Sequence, residues 1–302
     1  MITALVLAAI IVGAVALEVR RPLKHAPHVH TGKITPKKKD KTANVTTPHH
    51  TPSPSPSPIP PITYHGGATL SAGFTVHTIF YGNAFSAGGQ AILADYYKNF
   101  AASRWWGINT LYFGHTVPVH VGQNTTDAHY SRGKRINDSD LLTIVTLAIQ
   151  RGLGHGNASE VYVFLFDKNV KYTTGMCVDW CGFHSNFTVP HRANPIYIIV
   201  AGAPLACPSG CSVLNPNGSD SPNSNFEMDS LINIISHELS ESATDPEGTG
   251  WYNAGGEEDS DLCAWEFGTV SRIRGRLSNE PIGTRRYLIQ EELNPNTQQC
   301  NQ

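Results

Sequence analysis

The run Ser236-His237-Glu238-Leu239-Ser240-Glu241 places two side chains that bind metal ions, and one that can hold a water, within a few residues of one another. On a helix, His237 and Glu241 stand four residues apart, so they project from one face and can converge on one ion. Glu238 lies beside them. This is the layout of an H-E-x-x-H zinc hydrolase helix, with Glu241 where the second His normally stands. The chemistry expected of it is metal-assisted hydrolysis of a peptide: the ion polarises the scissile carbonyl while Glu238 takes a proton from the bound water. A catalytic zinc commonly takes three protein ligands. Glu258 is the expected third, with Glu257 as its alternate, and Asp261 is placed to hydrogen-bond His237 from outside the ligand set. Tyr252 or His184 would stabilise the oxyanion. One neutral imidazole and two carboxylates cancel the charge of a divalent ion, however, and acidify its water less than two imidazoles would. The harder ions Mn²⁺ and Ca²⁺ are therefore alternatives to zinc, and a structural or vestigial site is the alternative to catalysis.

A helix must carry these side chains. Asp229 or Asn225 can cap its start, and Met228, Leu231, Ile232, Ile235 and Leu239 form an apolar stripe at helical spacing. Asn233, His237 and Glu241 share another stripe, and Asp245 before Pro246 marks its end, because a residue preceding proline is pushed out of the helical region. Upstream, 74–81 reads as a strand, 88–102 as a helix and 139–151 as a second helix. The continuous apolar runs 161–166 and 196–200 read as central strands. The fold class expected is α/β: a single domain over 62–302 with a mixed sheet and a zincin-like metal helix packed on it, preceded by a disordered stalk.

The apolar run from Ile2 to Leu17 is short for a membrane span, and Ala14-Val15-Ala16 offers a signal-peptidase site, so 1–16 reads as a signal peptide and no stable membrane span is expected. Residues 17–61 are rich in Lys and His and then alternate Ser with Pro. Such a segment cannot bury a core, and it reads as a disordered linker. Residues 1–61 hold 8 Lys/Arg against 2 Asp/Glu, which leaves −8 on the remainder of a chain whose net charge is −2. An acidic body makes nucleic acid an improbable partner. The six cysteines follow the signal peptide and read as three disulfides, assigned here as the local pairs 177–181 and 207–211, with 263–300 tying down the C-terminus. Sequons at Asn44, Asn124, Asn137, Asn157, Asn186 and Asn217 suit a secreted glycoprotein. No G-x-S-x-G elbow, P-loop or dinucleotide fingerprint is present; Gly152 to Gly156 has the wrong spacing and ends the preceding helix. A non-catalytic alternative uses the five tryptophans to stack on sugar rings of a cell-wall or matrix polysaccharide.

Beyond the helix, motifs along most of the body resemble the EXORDIUM, or phosphate-induced protein, family. They are Tyr64-His65-Gly66-Gly67, Phe80-Tyr81-Gly82, Trp105-Trp106, Tyr130-Ser131-Arg132-Gly133 and Cys181-Gly182-Phe183-His184. Further along come Cys207 with Cys211, His237-Glu238-Leu239 with Glu241, Trp251-Tyr252, the 258–263 run, Tyr287-Leu288-Ile289-Gln290 and Asn294-Pro295. Asp245 departs from the family's usual Asn, Leu293 stands where an aromatic is usual, and the Ser/Pro stalk is atypical. The resemblance implies an extracellular protein of the cell wall or matrix, linked to growth and nutrient or hormone responses.

Overall fold

The computed structural model describes residues 33–34, 60–189, 192–202 and 204–302. The expected signal peptide, and all of the 17–61 linker except 33–34 and 60–61, lie outside the described residues. Six strands form the main sheet: β1 (Lys33–Ile34), β2 (Phe74–Tyr81), β3 (Val119–Asp127), β4 (Glu160–Phe166), β5 (Gly182–Phe187) and β6 (Ile196–Ala201), in the order β1-β5-β6-β4-β2-β3. From β6 to β3 the neighbours run parallel, whereas β5 is antiparallel to β6 and β1 to β5. The sheet is thus mixed, as the strand pattern predicts.

Alternation along the central strands assigns its two faces. Val161, Val163 and Leu165 point into one core with helices α1 (Ala87–Asn99) and α3 (Phe226–Thr244), while Tyr162, Phe164 and Phe166 point into another with helix α2 (Asp138–Gln150). Burial on both faces explains why these strands read as continuous apolar runs. Each of these three helices starts at a side-chain cap: Ser86 accepts from Gly89 N–H, Asn137 forms a capping box with Asp140, and Asn225, of the two candidates, accepts from Met228 N–H. Asp229 instead accepts from Asn223 and the Ser221 hydroxyl. Helix α3 ends at Thr244 with Asp245 as its cap, where the following proline requires it.

Helix α3 is buried all round beyond its first turn. Its apolar stripe faces the sheet, and a C-terminal lobe of small hairpins covers the polar stripe, with Asn233 accepting from Gln290 N–H at 2.8 Å. Nine polar or charged side chains between Ser230 and Thr244 are therefore enclosed, and each needs a partner to offset its lost hydration.

The cysteine pairing differs from the sequence expectation. The bonds are Cys177–Cys207, Cys181–Cys211 and Cys263–Cys300. Local C-x-x-x-C closure fails because the 177–181 and 207–211 segments lie side by side, bringing Cα atoms 5.6 and 5.4 Å apart across the two segments. They form a double bridge between the loop entering β5 and the loop leaving β6. Only 263–300 is as expected.

Candidate metal centre

Three elements converge beneath the sheet edge: β5 brings His184, α3 brings His237, Glu238 and Glu241, and the loop before Cys263 brings Glu258, Asp259 and Asp261. Glu241 faces both imidazoles. Its Oε1 lies 3.0 Å from His237 Nε2 and its Oε2 lies 3.4 Å from His184 Nδ1. His184 Nδ1 is also 3.4 Å from Glu238 Oε2, its Nε2 is 3.6 Å from Glu258 Oε1, and Asp261 Oδ1 is 3.5 Å from His237 Nε2. Two ligand triads result, His184-Glu241-Glu258 and His237-Glu241-Asp261, and Glu241 belongs to both. The sequence-derived triad of His237, Glu241 and Glu258 is drawn from across the two. Around an ion bound at about 2.0–2.2 Å, tetrahedral ligand atoms stand about 3.3–3.6 Å apart; His184 Nδ1 and Glu241 Oε2 meet that spacing, and one ligand atom from each residue of a triad lies within 4.8 Å of the other two.

Hydrogen bonding leaves these atoms to one another. His184 Nε2 donates to the Asp245 carbonyl at 3.1 Å, which directs the Nδ1 lone pair at Glu238 and Glu241. Both nitrogens of His237, both carboxylate oxygens of Glu238 and of Glu258, Glu241 Oε2 and His184 Nδ1 have no hydrogen-bond partner. His237, Glu238, Glu241 and Glu258 are 0% exposed and His184 3%. A buried carboxylate without a donor is costly, so such atoms need a cation or a proton. The 257–261 loop is not the solvated acidic run its composition suggests, for only Glu257 is exposed while Glu258 and Asp259 are fully buried.

Without an ion, protons balance the charge. Burial disfavours the His184 imidazolium, but Glu238 and Glu241 outweigh it and raise its pKa to about 10. His237 is likewise raised by Glu241 and Asp261 against the same penalty. Burial lifts Glu238 to about 7 and Asp259 to about 7, while Glu241 is held at about 2 because the two imidazoles overcome its burial. Burial, with the charges of Glu241 and Asp245, pushes Glu258 well above the carboxylate range. Ser260 Oγ lies 3.1 Å from the His237 carbonyl and 2.6 Å from Glu292 Oε2. One hydroxyl proton cannot serve both, so Glu292 supplies the second, in line with its burial-raised pKa.

Tyr252 is placed elsewhere. Its ring stacks on His65 at 3.6 Å and its strand pairs with Thr63–Tyr64. His184, expected at the oxyanion, sits among the ligand atoms instead. Sequence reasoning missed Asp245, Asp259 and Glu292; no local signal could have found Glu292, because a residue beside a core leucine in a strand points to the opposite face and is ordinarily solvated. Trp105, Trp106 and Trp180 are core residues, so the tryptophans form no exposed row.

A family model described as the Phosphate-induced protein 1 conserved region matches residues 62–302. The chain belongs to this family. Its relatives include Protein EXORDIUM-like 3 of Arabidopsis thaliana, 29% identical over 76% of this chain and 79% of that protein. Protein EXORDIUM of the same plant is 25% identical over 63% and 68%. Protein PHOSPHATE-INDUCED 1 of Nicotiana tabacum is 24% identical over 80% and 87%. No solved structure matches the chain. The EXORDIUM-type body thus spans residues 62–302, which include those that enclose the centre, and no helix among the described residues is long and apolar enough to cross a membrane.

Proposed function

We propose that this is an extracellular EXORDIUM-type protein of growth or nutrient response whose enclosed centre binds a divalent cation that locks β5, α3 and the 258–261 loop together. The observation that carries the reading is the set of fully buried imidazole and carboxylate atoms with no partner but one another. The imidazole in each triad favours zinc over Ca²⁺, whose shell is built from oxygen; Mn²⁺ is the next choice. Three disulfides support an oxidising compartment, and none of the sequons Asn124, Asn137, Asn157, Asn186 and Asn217 is buried.

A second reading, peptide hydrolysis, is favoured by one feature: Glu238 has both oxygens unpartnered beside His184 and a pKa near 7, which suits a general base. The burial of every ligand except Asp261, whose side chain is 23% exposed, favours the locking role. Elemental mass spectrometry on purified protein, beside Glu241→Ala, tests the site. About one equivalent of zinc, lost in the variant, supports it, and an equal metal content in both refutes it. Peptide-library cleavage lost in Glu238→Gln with zinc retained would move the assignment to the hydrolase.

A further inference from the structure

Positive charge on this acidic body is concentrated opposite in kind to the centre. Five arginines, Arg272, Arg274, Arg276, Arg285 and Arg286, fall in two successive hairpins over 271–278 and 280–287. The first turns on Arg274 (φ 52°) and Gly275 (φ 85°), a two-residue loop with both φ positive, and the second on Gly283 (φ 60°). A left-handed conformation disfavours arginine against Gly or Asn, yet here it sets Arg274 at the rim of a cavity of about 460 Å³ that Arg276, Arg285 and Arg286 also line.

Among the described residues only Arg285 of these four has a carboxylate in ion-pair range, Asp95 at 3.4 Å. Arg276 donates to the Ser221 carbonyl and Arg286 to the Ser278 hydroxyl, each at 2.9 Å. Neutral acceptors fix the direction of these guanidinium groups without cancelling their charge. The cavity has about fifteen times the ~30 Å³ of a liquid water, so one tetrahedral oxyanion would leave most of it unfilled. Asn223, Ser278 and Thr284 add neutral polar groups to the lining, and no aromatic ring is present on which a nucleotide base could stack.

We propose that this cavity binds an anionic glycan: a short run of sugars whose carboxylate or sulfate groups pair with Arg274, Arg276 and Arg286 and whose hydroxyls meet Asn223 and Thr284. Fixed planar guanidinium forks suit such oxyanions. The inference is independent of the metal reading.

The test is calorimetric titration of the full-length chain with an oligogalacturonate, a heparin-derived oligosaccharide of equal length, and sodium phosphate. The variants are Arg274→Gln/Arg286→Gln and, as a surface control, Arg151→Gln; co-sedimentation with phosphatidylserine vesicles runs in parallel. Binding of one or both oligosaccharides, weakened about tenfold or more in the double variant and unchanged in the control, is expected, and the better oligosaccharide tells carboxylate from sulfate. Arg274→Asn, which suits the positive φ, should weaken binding without lowering the melting temperature. Undiminished binding in the double variant would assign it to the basic 1–61 segment and overturn the proposal. So would failure of both oligosaccharides, phosphate binding as tightly as they do, or capture by vesicles alone.

Discussion

His184 Nδ1 and Glu241 Oε2 stand 3.4 Å apart although one belongs to a sheet-edge strand and the other to the last turn of the central helix. Strand and helix are joined at this point by polar atoms with no other partners, so whatever neutralises those atoms also fixes the angle between the two elements.

Removing the neutralising ion should therefore act on stability. If zinc is present at about 100 times its dissociation constant, a chelator forfeits about 2.7 kcal/mol. For a domain of this size that is a fall in melting temperature of about 5–10 °C. His184→Ala and His237→Ala should be insensitive to the chelator, whereas Glu238→Gln and Tyr252→Phe should respond like the parent. Differential scanning fluorimetry with and without chelator checks all four.

Metal binding should release protons. At pH 7 the ion-free centre holds protons on His184, raised to about 10, and on Glu258, raised well above the carboxylate range by burial. An ion must displace them. Titrations in buffers of different ionisation enthalpy should show release of at least one proton per ion, with affinity climbing between pH 6 and 8. An ion that binds with no proton release would place it away from these residues.

Much of this arrangement is legible in the chain. The helix, its proline-set end and the grouping of His237 with Glu241 follow from spacing, and the buried strands from their apolar runs, while the choice of Asn225 over Asp229 as cap needed the fold. His184 is the element least readable: nothing local distinguishes a ligand histidine from a packed one within a strand, and its meeting with Glu241 depends on β5 folding back antiparallel at the edge. The cysteine pairing was hidden for the same reason, since two C-x-x-x-C segments pair across or within according to how distant loops lie. Charge runs mislead in the 257–261 loop because only Glu257 is exposed there, while 258–260 are drawn inward against α3 by contacts that composition does not show.

Glu227, in the first turn of α3, has its pKa raised to about 7 by burial and then by Asp167. A carboxyl raised in the fold favours folding most below its unfolded value of 4.5, and that advantage is lost as pH rises from there to about 7. The loss should reach at most about 2 kcal/mol, allowing for solvent screening of a half-buried group. Glu227→Gln should match the parent in melting temperature at pH 5 and exceed it at pH 8. A constant difference between the two pH values would contradict the assignment.

The double bridge predicts non-additive losses. Each bond closes a separation of 30 residues, worth about 3–4 kcal/mol if acting alone. Because both tie the same two loops, Cys177→Ser/Cys207→Ser should cost under about 2 kcal/mol, while removing all four cysteines should cost about 4 kcal/mol. Urea unfolding of these two variants and of Cys181→Ser/Cys211→Ser measures the coupling.

Gly182 begins β5 where the strand packs against α3. A Cβ there would stand 2.4 Å from Ile234 Cγ2, 2.9 Å from the Val200 carbonyl oxygen and 3.1 Å from Glu238 Oε1. Gly182→Ala should destabilise by about 1–3 kcal/mol and weaken zinc binding, since the shift it forces moves His184 off Glu241. Undiminished stability would mean that the strand yields freely.

The pairing of Lys33↔Phe183 and Ile34↔Gly182 bears on how copies of the protein behave in a crowd. An antiparallel border strand left bare is a template on which another chain's strand can extend the sheet, the common first step of aggregation. Here the start of that border is covered from within the same chain. The opposite border, β3, is polar along most of its length and lacks the regular apolar alternation that would fix a foreign strand in register. Extension of the sheet by a second copy is thus obstructed where β5 begins and poorly templated along β3.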